Sequence, residues 1–341
     1  MPTHFSQLAY AYGQPTVSGH FKQSPADFIV KEQLSFEPSG EGEHLFLQIK
    51  KTNLNTLDVC ERIAKHFHVQ SRNVAYAGLK DKSAITQQWF SLPFPIKASL
   101  NLDGFESEQL TVVSSTRNSK KLKHGAIQSN QFKIVLRGLQ GDMLSIDDRV
   151  SNIKELGVPN YFGSQRFGYN EINLINALKL FSNKVKYSRN KKSLYLSAAR
   201  SFLFNEVLSQ RVKDNTWNTI IPGDVATLND TRSFFAIEQS DRNVQKRLLE
   251  GDIHLSAPLW GKGESISSLL TKELEEKTMS SNIEIADGLA NEGLQQDRRA
   301  MRLFASDLKF QFINNTLQLK FSLSSGAYAT SVLREMCALH K

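Results

Sequence analysis

Two changes of hydrophobic period divide this chain of 341 residues. From Glu43 to Lys50, Leu45, Leu47 and Ile49 alternate with other residues, the period of a strand with one buried face. A helix follows, capped by Asn55 or Thr56, with Leu57, Cys60, Ile63 or Ala64, and Phe67 at helical spacing. Thr86–Leu92, Leu110–Ser114 and Gln131–Arg137 read as further strands, the last with Phe132, Ile134 and Leu136 on one face. From about Ser145 to about Leu303 the pattern turns mostly helical, over Ile172–Phe181, Tyr195–Val212, Asp241–Leu249, Ser265–Lys277 and Gln295–Leu303. Strands then return at Leu308–Ile313 and Leu317–Leu323, before a short helix from about Thr330. A strand-rich beginning and end around a helix-rich middle predicts an α/β core interrupted by an inserted domain. No internal repeat or low-complexity tract interrupts this reading.

Charge narrows the range of partners. Lys and Arg total 42 against 34 Asp and Glu, a net charge of +8, which favours a polyanionic partner. Arg117, Lys120, Lys121, Lys123 and His124 form one acid-free run, and Lys184, Lys186, Arg189, Lys191 and Lys192 form another. One such run alone is equally a solvated face, but two, one per expected domain, fit an RNA backbone better. Cys60 and Cys337 form no CxxC pair and read as reduced thiols. The first residues have no apolar signal-like core, and no stretch approaches the ~20 apolar residues of a membrane span. The expectation is a cytoplasmic protein that meets no membrane. Gly261-Lys262-Gly263 lacks Walker A spacing, and neither GxGxxG nor GxSxG occurs. His66 and His68 lie two apart, the wrong spacing for one metal on a helix. No metal and no cofactor are expected.

Gly78-Leu79-Lys80-Asp81-Lys82 lies between regular elements, where chemistry is often carried. A carboxylate between two lysines is held ionised, so it serves poorly as a proton donor and better as a nucleophile or an electrostatic partner of a sugar carbon. Taken alone, the same pentapeptide is also an ordinary surface ion pair.

The stretch from Tyr76 to Trp89, Tyr-Ala-Gly-Leu-Lys-Asp-Lys-Ser-Ala-Ile-Thr-Gln-Gln-Trp, resembles the signature of the D family of tRNA pseudouridine synthases. Lys22–Glu32 is similar to the N-terminal motif of that family, as is Gly40–Leu45 followed by Asn55-Thr56. Gly157–Gly168, Leu196–Asn205 and Gly326–Glu335 resemble three further family motifs, in the same order. The resemblance therefore spans nearly the whole chain.

It implies an α/β fold: a pseudouridine-synthase core with a mixed, mainly antiparallel sheet, over residues 1–155 and 304–341. An inserted α/β domain would occupy 156–303. It implies isomerisation of a uridine in tRNA, with position 13 the usual target, and Asp81 as the catalytic nucleophile. Phe28 falls where the family sets an aromatic against the target base, and Asn130 where an Asn contacts the substrate. Tyr328 takes the place of a Phe usual in bacterial relatives. Lys22 and Lys80 are candidate partners of phosphate or carboxylate. Taken singly, Phe28 reads as core, Asn130 as a turn or cap at a strand start, and Tyr328 as a buried aromatic at a helix start. Two rivals remain: a non-catalytic RNA-binding protein or RNA chaperone on the same fold, and an Asp-dependent glycoside or nucleoside hydrolase. The second lacks a convincing partner carboxylate for Asp81. The oligomeric state is left open, a monomer included.

Overall fold

The structure, a computed structural model, describes residues 4–183, 185–229, 231, 233–238 and 243–340. Two expectations fall partly outside them: Lys184 of the second basic run, and Asp241 at the start of an expected helix. The backbone forms two compact units, one of Thr16–Ile146, Ala305–Ala327 and Cys337–Lys341, the other of Met1–Pro15, Asp147–Phe304 and Tyr328–Met336.

The first unit is built on a ten-stranded mixed sheet. Its strands are β1 (Val17–Phe21), β2 (Phe28–Leu34), β3 (His44–Thr52), β4 (Ala75–Tyr76), β5 (Ile85–Pro93), β6 (Leu110–Asn118) and β7 (Ile127–Gly141). Three more, here β14 (Ser306–Ile313), β15 (Thr316–Ser324) and β16 (Ala338–His340), come from the end of the chain. The main path runs β14-β15-β7-β2-β5-β3-β6, with β1 joining β7 to β16 and β4 pairing with β5. Only β1 with β16 and β2 with β5 are parallel; the other pairs are antiparallel. The helix Thr56–His66, here α2 after the short α1 (His4–Gln7), packs Val59, Cys60, Ile63 and Ala64 against Leu45, Leu47, Ile49, Phe90 and Leu92. Asn55 caps it: Asp58 accepts the Asn55 backbone N–H at 3.2 Å, half of a reciprocal capping box.

The second unit carries α3 (Ser145–Leu156, from Asp147 on), α4 (Ile172–Phe181), α5 (Arg189–Lys213), α6 (Val244–Glu250), α7 (Leu269–Ser280), α8 (Ile283–Asn291) and α9 (Ala329–Met336). Its strands are β8 (Val158–Pro159), β9 (Val225–Leu228), β10 (Phe234–Ala236), β11 (Ile253–Leu259), β12 (Asp297–Ala300) and β13 (Arg302–Leu303). β10-β9-β11-β12 make an antiparallel sheet and β8 pairs with β13. The long α5 runs through the core of this unit, with Ala198, Ala199, Leu203, Phe204 and Leu208 fully buried.

Several expectations change. The mostly helical middle of the chain also contains the β9–β12 sheet, whose strands the periodicity did not mark. Gln295–Leu303 is not a helix: Asp297–Ala300 is an edge strand and Arg302–Leu303 a second short one. Its Gln, Arg and Ala residues favour a helix locally, but pairing along β11 from Leu259↔Asp297 to Ser256↔Ala300 satisfies an open strand edge instead. Burial of Arg298 against Glu275 at 2.7 Å fixes that choice. The expected helix from Ser265 begins only at Leu269, because Ser267 Oγ donates to Glu275 at 2.6 Å and Ser265 Oγ pairs with Ser267 Oγ at 2.7 Å. Gln131 does not open its strand: β7 starts four residues earlier, at Ile127, so Asn130 lies inside a ladder rather than at a strand start.

Candidate active site

The Gly78–Ser83 loop leaves β4 and enters β5, and polar bonds pin it along its length. Gln88 Nε2 donates to the Gly78 carbonyl at 3.2 Å, and the Lys80 N–H donates to Thr56 Oγ1 at 3.0 Å. Thr56 Oγ1 in turn donates to Gln88 Oε1 at 2.9 Å, tying the first turn of α2 to β5. Lys51, buried at the end of β3, gives its ammonium to the Leu54 carbonyl at 2.6 Å and the Asp81 carbonyl at 3.0 Å. Burial pushes the Lys51 ammonium down to about 8, with the Asp81 charge opposing that fall. The backbone of Asp81 is thus fixed while its side chain stays exposed, 37% of it open to solvent.

Asp81 Oδ1 accepts the Ser83 N–H at 3.1 Å, and Oδ2 forms an ion pair with Lys22. The sequence suggested that Lys80 and Lys82 would hold this carboxylate. Lys80 instead turns to the buried Glu32 at 2.6 Å, and Lys82 is exposed. The positive partner comes from 59 residues away.

Lys22 directly follows β1 with φ of 60°, a left-handed conformation unusual for a side-chain-bearing residue. The chain then turns through Pro25–Asp27 into β2. Arg137 holds that turn by donating to both oxygens of the buried Asp27, at 2.7, 2.9 and 3.0 Å, while the Ser24 N–H adds a fourth bond at 2.9 Å. Burial pushes the Asp27 carboxyl up, but these hydrogen bonds outweigh it and leave the group below its ordinary range. Phe28 packs edge-on against Phe21 at 5.4 Å and at a tilt against Phe132 at 5.9 Å, and is 7% exposed. The Lys22 ammonium lies 4.0 Å from the centre of the Phe28 ring. Lys22, Phe28 and Asp81 therefore form one connected group.

Asn130 is the cross-strand partner of Glu32 and of Leu323. Its buried Oδ1 has no hydrogen-bond partner among the described residues. Glu32 itself accepts the Trp89 N–H at 3.1 Å, just past the last paired residues of β2 and β5, and so links the ladder to Lys80.

Tyr328 belongs to the other unit. Its hydroxyl accepts from Arg166 Nε at 2.9 Å, and its ring lies edge-on to Phe162 at 5.9 Å. Arg166 also donates to Ser197 Oγ at 3.1 Å, and Arg299 sits 4.1 Å from the centre of the Phe162 ring. Burial lowers the Arg299 guanidinium to about 10, which leaves it charged at neutral pH.

Glu32, Lys51, Thr56, Gln88 and Arg166 escaped the sequence reading as site residues. The available signal was polarity at positions where strand alternation calls for burial: Glu32 in β2, Lys51 in β3 and Gln88 in β5 are all buried. In the first basic run, Arg117 is already occupied by the carbonyls of Gly42, Phe94, Pro95 and Ala98, leaving Lys120, Lys121 and Lys123 exposed. In the second, Lys192 pairs with Glu292 while Lys186, Arg189 and Lys191 are exposed.

The sequence model of the family described as tRNA pseudouridine synthase D (TruD) matches residues 5–186 and 176–336. A tRNA pseudouridine synthase D of Methylococcus capsulatus is 44% identical over 334 residues, 97% of this chain and 94% of that protein. One of Colwellia psychrerythraea is 41% identical over 97% of this chain and 92% of its own length. A crystal structure assigned to tRNA pseudouridine synthase D of Methanosarcina mazei superposes with a TM-score of 0.74, at 21% identity, over 96% of this chain and 95% of that one. That likeness supports the mixed α/β fold. With the family matched along nearly its whole length and two such relatives above 40% identity, the chain belongs to the tRNA pseudouridine synthase D (TruD) family.

Proposed function

We propose that this protein isomerises a uridine of tRNA to pseudouridine, at position 13, with Asp81 as the nucleophile. The observation that carries the reading is an exposed carboxylate on a pinned backbone, paired with Lys22, which also covers the Phe28 ring.

The reaction breaks the N1–C1′ bond of uridine, turns the base, and joins C5 to the same C1′, after which the C5 hydrogen leaves. Asp81 attacks C1′ as N1 departs and leaves again when C5 bonds there; capture of an oxocarbenium-like sugar and proton removal from the sugar remain alternative parts for the same carboxylate. The C5 hydrogen leaves as a proton to solvent and N1 takes one up, so atoms and electrons balance with no redox partner or cofactor. The base must leave the stack first, and an aromatic face offsets the stacking it loses. Phe28 supplies that face once Lys22 moves off it, and Lys22 is then free for a phosphate or for Asp81 alone. The unpartnered Asn130 Oδ1 accepts a hydrogen bond from the substrate. Tyr328 is proposed to contact the tRNA within its own unit, where Arg166 holds its hydroxyl, and Lys80 acts through Glu32 on the loop rather than on the substrate.

We assign the catalytic core to 1–155 and 304–341 and the inserted domain to 156–303, while Met1–Pro15, 147–155 and Tyr328–Met336 cluster with the unit that holds the inserted domain. Among the described residues no helix is long and apolar enough to cross a membrane, and we place the protein in the cytoplasm, where tRNA is found. The test is direct: unmodified tRNA is incubated with the purified protein and pseudouridine is mapped nucleotide by nucleotide. Appearance of pseudouridine at position 13 supports the reading, and tRNA left unmodified at every uridine removes it.

A further inference from the structure

The sheet of the first unit has a second face, the reverse of the one bearing Phe28, Glu32, Lys51 and Asn130. Strand register defines it. Ile29, Lys133, Lys320 and Lys309 stand side by side on β2, β7, β15 and β14. The adjacent row runs Lys50, Gln87, Lys31, Gln131 and Ser322 across β3, β5, β2, β7 and β15. All five lysines are exposed, and none is in an ion pair among the described residues. An open groove of about 360 Å³ lies on this face, lined by Lys31, Gln131, Lys133, Lys309, Lys320 and Ser322. Asp307, at the irregular pairing between Ser306 and Lys309, is the one acid of its lining.

Lys133, Lys320 and Lys309 are direct cross-strand neighbours on strands about 4.8 Å apart. Like charges placed so cost stability, and a sheet edge kept soluble by charge would interleave acids to avoid that cost. Three lysines in a row with no ion pair among the described residues and one acid, Asp307, in the same groove, flanked by amide and hydroxyl donors, suit a run of phosphates, which removes the repulsion and releases counterions. We propose that this reverse face binds the phosphate backbone of RNA, holding a part of the tRNA remote from the base being modified. The proposal rests on the tRNA reading above and adds a surface that neither Asp81 nor the two basic runs supply.

The test is the variant Lys133→Gln/Lys309→Gln/Lys320→Gln in the full chain, with Lys133→Arg/Lys309→Arg/Lys320→Arg beside it. Four quantities are measured: tRNA affinity against salt, pseudouridine formation, melting temperature, and binding to anionic phosphatidylserine vesicles. The Gln variant is expected to bind tRNA more weakly and to lose about 2–3 from the slope of log K against log salt, near 0.7–0.9 for each phosphate contact. KM rises while kcat holds, and the melting temperature stays level or climbs because repulsion is relieved. The Arg variant is expected to keep affinity and slope. Unchanged affinity and slope in the folded Gln variant overturn the proposal, as does loss of vesicle binding with tRNA binding intact. If the wild-type protein binds tRNA with this salt dependence yet makes no pseudouridine, the catalytic reading fails while the surface stands.

Discussion

On the proposed reading, Lys22 holds two places that a bound base must take from it. Its ammonium pairs with Asp81 and covers the Phe28 ring at 4.0 Å, so stacking of uracil on Phe28 requires that ammonium to shift. Phe28 is therefore both packed and poised, and an alanine there would confound the two roles. Phe28→Leu separates them. It conserves most of the volume against Phe21 and Phe132, and should cost less than about 1.5 kcal/mol of stability. It removes the stacking face, worth about 1–3 kcal/mol, so single-turnover rate should fall roughly 5- to 150-fold with tRNA affinity nearly unchanged. A normal rate in this variant would return Phe28 to the core alone.

Lys51 gives a pH signature. Burial lowers its folded pKa from 10.5 to about 8. Below about 8 the amine is charged in folded and unfolded chains alike, and the cost of burying it is constant. As pH rises from about 8 to 10.5 the folded protein sheds the proton first, so the unfolded chain binds more protons and stability rises. Relative to Lys51→Met, the wild-type protein should therefore gain stability across that window. Denaturant titrations at pH 7 and pH 10 check it, and a difference that shrinks with pH would contradict the assignment.

At the scale of elements, legibility followed burial. β3 and β5 stand out because α2 covers one face of their sheet, which forces apolar alternation on Leu45, Leu47, Ile49, Phe90 and Leu92. The α4 helix was readable to the residue, Ile172–Phe181, because its apolar face meets α5 and α8. β2 was not, since apolar Ile29 on its outer face and charged Glu32 on its buried face break the alternation, Glu32 being there to hold Lys80 of the loop. β12 was misread for a tertiary reason: its helix-forming residues close the edge of β11 and bury Arg298 with Glu275. Side chains of that pair are 3% and 2% exposed, so Arg298→Leu leaves an uncompensated charge and should cost about 3–5 kcal/mol. Arg298→Leu/Glu275→Leu should recover most of that loss in chemical denaturation. If the single variant is as stable as the wild type, the pair does not hold β12 in place.

For the molecule as a whole, the family was legible because its motifs recur along the entire chain, and Asp81 within them. The partner of Asp81 was not legible, because adjacency in sequence favoured Lys80 and Lys82 while the fold delivers Lys22. In the first basic run Arg117 serves backbone carbonyls, while Lys120, Lys121 and Lys123 are exposed. Neutralising Lys120, Lys121 and Lys123 together should weaken tRNA binding and flatten its salt dependence by about 2–3; equal slopes would make them a solvated face.

Everything proposed for the chemistry meets at one carboxylate. The decisive measurement is single-turnover release of tritium from tRNA labelled at uridine C5, by the wild-type protein and by Asp81→Asn, with tRNA affinity measured in parallel. Asn keeps the shape and the Ser83 contact while losing the charge and the nucleophile. The expected result is release by the wild type, a rate lower by about four orders of magnitude or more in the variant, and affinity little changed. Release by Asp81→Asn at a rate near that of the wild type would contradict the account.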